Sequence, residues 1–568
     1  MELIRIGVRM LDRIKIRNLR SLKDTGYIDI RPLTILVGKN SSGKSTFLRF
    51  FPLMKQTLST KKNEPILWYS KENVDFGSFE ESVNKKSEEK IIGFDFDFKI
   101  NGRYRGISKK PAQLSLKVDL MEKSIKRVSI TIFENQIKLV EHNNNYKLFI
   151  NNKEIENLFC IARPDVFHDF LPLFVSKKQE DEGKNEKNIR EKSDITDYFY
   201  ELIYEYILSR SGMVDKLEYQ SKLMNDTKMF MRELTIKNIE LVANRDKELI
   251  EKLEKDLNSH NMIFDANIEY YIENNKQLDL FNINDGEIKF GMNSYENEII
   301  KALKIADEKG YEDLNNLLFG AYAQKLIEIC NEYLHSYFAQ VHYIAPLRAS
   351  AQRYYRIQGL AVDEIDPMGE NIPMAINNLS SYQKKKFKKW MKENFGFQIE
   401  TKASGGHVTL NISFDGNESL NLADTGFGFS QILPILLLLW RVENSDEALR
   451  IPRFLSRYNK HNIVIEQPEL HLHPALQALL TDALVKCIEK SRAQGIILNI
   501  IIETHSETII NRVGQLVYKE KIDKEKINIL IFGDTERQNP SQTCLKSVSY
   551  DEEGVIEDWP LGFFYPEV

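Results

Sequence analysis

The chain has 568 residues, 42% of them hydrophobic and 10% aromatic, enough for large cores and more than one domain. Charged residues make up 28% and nearly balance, for a formal net charge of −5, which excludes nucleic-acid binding by bulk composition and leaves only a local patch. The four cysteines, Cys160, Cys330, Cys487 and Cys544, are far apart with no C-x-x-C spacing, which argues against a zinc site or a disulfide framework and fits a reducing cytosol.

The N-terminus carries charges throughout and has no signal-peptide core, so a cytoplasmic location is expected. Residues 11–37 read as strands, the last being Leu33-Thr34-Ile35-Leu36-Val37. Gly38-Lys39-Asn40-Ser41-Ser42-Gly43-Lys44-Ser45 follows, a G-x-x-x-x-G-K-S pattern, and Thr46 opens a helix-like run. Strand, glycine-rich loop and helix form the context of a P-loop. Its glycines let the backbone wrap a polyphosphate, and successive N–H groups and the helix N-terminus point at the anion. Lys44 can reach the β- and γ-phosphates, and the Ser45 hydroxyl can ligate Mg²⁺.

Period-two alternation from about 92 to 151 predicts an antiparallel meander, with polar turns such as His142-Asn143-Asn144-Asn145. Residues 176–193 are nearly all polar and are expected to form a disordered loop. From about 195 to 340 the chain reads helical; Leu249, Leu253 and Leu257 share a face for only two or three turns, too short for a long coiled coil. The expected organisation is a first half at 1–155, a helical insertion at 156–340 and a second α/β half at 341–568.

In the second half, the run Lys384-Lys385-Lys386-Phe387-Lys388-Lys389-Trp390-Met391-Lys392 admits two readings: a phosphate contact with DNA or RNA, or a solvated helix face with Phe387 and Trp390 packed inward. Ala423-Asp424-Thr425-Gly426-Phe427-Gly428-Phe429-Ser430-Gln431 is a glycine-rich loop ahead of the apolar run Ile432 to Trp440. That run is far shorter than the roughly 20 residues of a membrane span and reads as a buried helix. His461-Asn462-Ile463-Val464-Ile465-Glu466 is a strand ending in a carboxylate, able to hold a Mg²⁺ hydration shell beside a P-loop. Gln467, Pro468 and Glu469 follow. Residues 496–502 form a further strand ending in Glu503-Thr504-His505-Ser506, and a histidine there can hydrogen-bond a γ-phosphate or an attacking water. Strand C-termini are where open α/β sheets bind ligands. His471 and His473 lack further ligands nearby, against a metal site.

These elements resemble the ABC-type ATPases of the OLD-like and SMC-like superfamily. The opening run from Leu11 to Leu22 resembles the first strand of those heads. Residues Ala423 to Gln431 resemble a divergent signature loop, and Tyr343-Ile344-Ala345-Pro346-Leu347-Arg348 and Glu557 to Phe564 resemble segments of one OLD-like branch. The resemblance covers roughly 11–100 and 340–568. It implies an α/β fold: a P-loop head of mixed sheet and helices, an antiparallel side sheet and an inserted helical domain. It also implies ATP and Mg²⁺ as cofactors and a homodimer or higher oligomer in which two heads sandwich two ATP molecules. Gly38, Asn40, Ser41, Ser42, Gly43, Lys44, Ser45 and Thr46 would bind the nucleotide from one chain. Gly426, Gly428 and Ser430 would close over it from the other, with Thr425 an alternative to Ser430. Ser45 and Glu466 would face the metal.

Gln467 departs from the family pattern. Relatives place a second acid after the Mg²⁺ carboxylate to activate water; Gln467 can orient water but cannot take its proton, and losing a positioned base typically slows turnover by about 10²–10⁴-fold. Slow hydrolysis is therefore expected, with Glu469 and His505 the substitute groups. OLD-type nucleases carry a C-terminal Toprim domain, which needs more than the residues after His505 at a typical ~100 residues per domain. The resemblance thus implies an ATPase that controls a separately encoded effector, a nuclease in Septu-like anti-phage defence. The alternatives are a DNA-repair or recombination ATPase that binds DNA directly and a non-hydrolysing nucleotide-gated scaffold.

Overall fold

A computed structural model describes residues 10–100, 112–143, 145–162, 169–171, 174–178, 321–359, 362, 364–414, 418–444, 460–533, 543–557 and 559, with isolated helical positions at 199–206 and 313–320. Strands β1 (Met10–Leu19), β2 (Leu22–Asp24), β3 (Ile28–Asp29) and β4 (Leu33–Gly38) lead into helix α1 (Lys44–Ser59), and a short α2 (Phe79–Ser82) follows. The meander is β5 (Ile92–Ile100), β6 (Ala112–Leu120), β7 (Ile125–Ile132), β8 (Asn135–His142), β9 (Asn145–Ile150), β10 (Lys153–Ala162) and β11 (Phe174–Lys178). Its strands join β1, β2 and β3 in one antiparallel sheet. Two of its hairpins turn on two residues with positive φ, Phe133-Glu134 (48° and 68°) and Asn151-Asn152 (50° and 67°), the turn geometry that matches strand twist.

This sheet extends past residue 155, where a helical insertion was expected to begin. Ser176 to Lys178, expected in a polar loop, end β11; the rest of that loop and the Leu249–Leu257 face lie outside the described residues. The described helix of the middle region is α3 (Ala323–Phe338).

The second half brings β12 (Val341–Ile344), β13 (Tyr355–Arg356), α4 (Ile372–Asn377), α5 (Ser381–Phe395), β14 (Phe397–Ser404), β15 (His407–Phe414), β16 (Leu420–Asn421), α6 (Phe427–Glu443), β17 (Lys460–Glu466), α7 (Pro474–Ala493), β18 (Ile497–Glu503), α8 (Glu507–Tyr518), β19 (Ile527–Phe532) and β20 (Leu545–Val548). A second sheet runs β12-β17-β18-β4-β19-β20, parallel except for β20. The P-loop strand from the first half thus sits among strands of the second, and one edge collects the C-terminal ends of β12, β17, β18, β4 and β19. The α/β class and the antiparallel side sheet are as the sequence implied.

This parallel sheet is buried on both faces, which explains its near-continuous apolar strands. Leu33, Ile35, Val37, Ile463, Ile465, Ile500 and Ile502 pack into one core with α6, α7 and α8. Leu36, Val464, Ile501 and Leu530 point the other way, into a core shared with α1, α3 and the antiparallel sheet. Phe50 is central there, its ring 4.8 Å from Phe94 and 5.9 Å from Phe338. The run Ile432–Trp440 is a buried helix, as expected, with Pro434 inside it. Helix α5 buries Phe387, Trp390, Met391 and Phe395, and Trp390 donates to Glu443 at 3.0 Å, so the aromatics of the basic run are packed inward.

His342 and His461, on neighbouring parallel strands, sit with ring nitrogens 3.2 Å apart. Desolvation and then the neighbouring His461 hold His342 well below its usual value; desolvation lowers His461 to about 4. Groups with a depressed histidine pKa in the folded state bind protons more readily when unfolded, so their contribution is full above about pH 6.5 and is lost as pH falls through that value toward 4. The thermal midpoint is expected to fall between pH 7.5 and 5, and to fall less in the double variant His342→Gln/His461→Gln.

Candidate nucleotide site

The P-loop links β4 to α1 at the shared strand edge. Gly38 has φ 138°, and a Cβ there would lie 2.2 Å from the Phe532 carbonyl oxygen on β19. Only glycine lets the loop leave the sheet so close to its neighbour. Gly43, with φ 108°, caps α1 and leaves the helix N-terminus facing the loop. Lys44 is buried, and its Nζ donates to the carbonyls of Gly38 at 2.9 Å and Lys39 at 2.8 Å, bracing the loop from inside. Burial lowers its pKa, opposed by Glu503 with Oε1 3.9 Å away. Asn40 and Ser41 are exposed at the loop tip, Ser41 with φ 62°, and Thr46 lies in the first turn of α1. Ser42 Oγ is buried with no hydrogen-bond partner among the described residues.

Glu466 and Glu503 are register partners at the ends of β17 and β18, and Glu503 also pairs with Leu36 of the P-loop strand. Their side chains are held differently. Glu466 accepts a two-pronged ion pair from Arg49, at 2.6 and 2.8 Å, and the Tyr343 hydroxyl at 2.7 Å. Glu503 accepts the Ser45 hydroxyl at 3.0 Å. Ser45 and Glu466 are the residues expected to face a metal; the carboxylate that the Ser45 hydroxyl reaches directly is Glu503. Arg49, Tyr343 and Glu503 were not singled out as site residues, although Arg49 lies one helical turn beyond Ser45 and Glu503 ends a strand read as a site strand.

Gln467 takes φ 44° and donates its backbone N–H to the Glu503 carbonyl at 2.8 Å, turning the chain sharply after β17. Glu469 then folds back under β18, accepting the Thr504 hydroxyl at 2.9 Å and the His505 N–H at 2.8 Å. Burial raises its carboxyl above the usual range, opposed by the hydrogen bonds from His505 and Thr504. His505 is exposed at the same edge; partial desolvation and then the Lys44 cation lower its imidazole below the ordinary range.

Arg348 connects this edge to the glycine-rich loop. It is buried, and Nη2 donates to the Glu466 carbonyl at 2.8 Å and the Gln467 carbonyl at 3.3 Å. Nη1 reaches the Gln431 carbonyl at 3.3 Å, and the Gln431 amide donates back to the Arg348 carbonyl at 3.0 Å. Desolvation lowers this guanidinium to about 10. Gly426 caps α6 and is exposed; a Cβ on Gly428 would lie 2.5 Å from the His471 carbonyl, so this loop packs on the turn that follows β17. Ser430 lies within α6, its hydroxyl turned back onto the Phe427 carbonyl at 2.8 Å, while Thr425 caps back onto Leu422 at 2.7 Å.

The profile of an AAA ATPase domain family matches residues 10–510, spanning both halves of the head. The chain belongs to this AAA ATPase family. An ATPase domain implies a nucleotide ligand, and the P-loop is the element built for one. No protein of curated function matches the chain. Among solved structures, it is similar to an Smc head domain with extended coiled coil from Pyrococcus furiosus, bound to the C-terminal domain of ScpA (11% identity, 95% of this chain and 97% of that one, TM-score 0.33). It is similar also to the SMC head domain from Thermotoga maritima (9% identity, 94% and 98%, TM-score 0.32). A third is the Smc head domain with coiled coil and joint from Pyrococcus yayanosii (14% identity, 96% and 98%, TM-score 0.31).

The donors around Ser45, a hydroxyl and a buried carboxylate on rigid elements, are hard oxygen ligands of the kind that suits Mg²⁺. Oε2 of Glu503 is buried with no hydrogen-bond partner among the described residues.

Proposed function

We propose that the chain is an ABC-type, OLD-like ATPase that binds ATP with Mg²⁺ at its P-loop, hydrolyses it slowly, and acts through a separate effector protein. The observation that carries the reading is the convergence of Lys44, Ser45, Glu503, Glu466 and His505 at one sheet edge beside a helix N-terminus. In this reading Lys44 and the loop N–H groups neutralise the β- and γ-phosphates, and Ser45 with a strand-end carboxylate holds the metal. The metal, when bound, screens charge on the phosphate oxygens. His505 positions the attacking water, and Glu469, hydrogen-bonded to the His505 backbone N–H, takes up its proton slowly.

A γ-phosphate closed over by a second copy's Gly426 loop would join two heads around two nucleotides. Phe427, the first residue of α6 beside Gly426, is 51% exposed and would lie at such a contact. A head that changes shape with nucleotide state acts through whatever reads the shape, and our reading assigns that role to a nuclease in anti-phage defence. No helix of the described residues is long and apolar enough to cross a membrane.

Steady-state hydrolysis with the Gln467→Glu variant tests the slow step. Turnover is expected to rise by at least about 10-fold, part of the usual effect of a positioned base. Fast wild-type turnover that the substitution slows would refute the assignment. Co-purification with neighbouring gene products, with and without ATP and Mg²⁺, tests the effector.

A further inference from the structure

The two strand-end carboxylates divide the work differently from the order in which the sequence presents them. Glu466 has its charge matched by the Arg49 guanidinium, and its Oε1 also accepts the Tyr343 hydroxyl. Arg49 is itself held on α1, one turn beyond Ser45, so this pair clamps β17 against the P-loop helix. Glu503 is 3% exposed and has no such partner. One oxygen accepts the Ser45 hydroxyl, the other has no partner among the described residues, and the nearest cation is Lys44 at 3.9 Å. Ser42 Oγ, two residues before Lys44, is likewise buried and unpartnered.

A buried carboxylate without a cation is costly. In a phosphate-bound P-loop the Lys44 ammonium serves the β- and γ-phosphates, which leaves Glu503 only the more distant Arg49, whose guanidinium is already paired with Glu466. A divalent ion bound by the adjacent Ser45 hydroxyl restores the balance. We infer that Glu503, rather than Glu466, is the carboxylate that faces the Mg²⁺ ion of bound nucleotide, and that Glu466 with Arg49 and Tyr343 is the strut that positions β17. The inference deepens the ATP reading and rests on it.

Mn²⁺ is the probe, followed by its electron paramagnetic resonance in the presence of a non-hydrolysable ATP analogue, with analogue affinity measured first in EDTA. Glu503→Gln is expected to weaken Mn²⁺ binding about 10–100-fold, the usual effect of losing a group that orients or supplements a metal's ligands, and to leave metal-free analogue affinity near wild type. Glu466→Gln is expected to lower the thermal midpoint, because it orphans Arg49, with a much smaller change in Mn²⁺ affinity. If Glu503→Gln does not fold, Glu503→Asp replaces it; the shortened carboxylate is expected to weaken Mn²⁺ binding as well. Wild-type Mn²⁺ affinity in the Glu503 variant, or loss confined to Glu466→Gln, would overturn the inference and return the metal to Glu466. A wild-type chain that binds no analogue in EDTA or with Mn²⁺ overturns the ATP reading itself, a result distinct from both.

Discussion

Lys44→Ala is expected to lose ATP affinity by about 10²–10⁴-fold, since each charge-assisted hydrogen bond to a phosphate contributes roughly 1.5–3 kcal/mol and the ammonium is placed to make two. The Lys44 ammonium lies inside the loop, between the Gly38 and Lys39 carbonyls and the Glu503 carboxylate. The change also takes the nearest cation from the buried Glu503 and a donor from the buried Gly38 carbonyl, so the thermal midpoint is expected to fall, and a cooperative transition at the lower midpoint shows that the chain still folds. Retention of labelled ATP on a filter, measured well below that midpoint, checks the affinity and separates lost binding from lost folding. Wild-type retention by Lys44→Ala would remove the P-loop from the account.

Arg348→Met is expected to have the largest effect on turnover relative to binding. The guanidinium ties the carbonyls of Glu466 and Gln467 to that of Gln431, so one buried side chain fixes both the turn after β17 and the start of α6. Methionine fills the volume but leaves buried acceptors without donors, a loss of about 3 kcal/mol or more. The denaturation midpoint should drop accordingly. Hydrolysis should fall by at least about 10²-fold, as expected when a water-positioning segment is displaced by an ångström, while ATP affinity, set mainly by the P-loop, should change little. A parallel loss of affinity and turnover would indicate that Arg348 supports only the fold. Arg348→Lys, which retains the charge but not the fork, is expected to fall between the two.

The parts of this molecule that were legible in the sequence are those with short-range signals. The P-loop carries its chemistry in contiguous residues, and its flanking strand and helix are local patterns. The period-two meander and the apolar run of α6 were legible for the same reason. What was not legible depends on which strand lies beside which. Glu466 and Glu503 both end apolar strands, and nothing in either stretch says that β18 rather than β17 pairs with the P-loop strand. That adjacency puts Glu503 beside Ser45 and leaves Glu466 to Arg49. Arg348 was visible as part of a motif, but its role follows from burial between two segments distant in sequence. Ser430 was expected at a helix start; the helix begins at Phe427, which places the hydroxyl one turn inside and turns it onto a backbone carbonyl.

The central claim is that the convergence at the strand edge is a nucleotide site, and calorimetric titration of the purified chain with ATP and Mg²⁺ tests it most directly. The account predicts saturable binding of one ATP per chain, weakened when Mg²⁺ is withheld and abolished within the accessible concentration range by Lys44→Ala. A folded wild-type chain that gives no binding heat at any ATP concentration tested, with equilibrium retention of labelled ATP also absent, would contradict it.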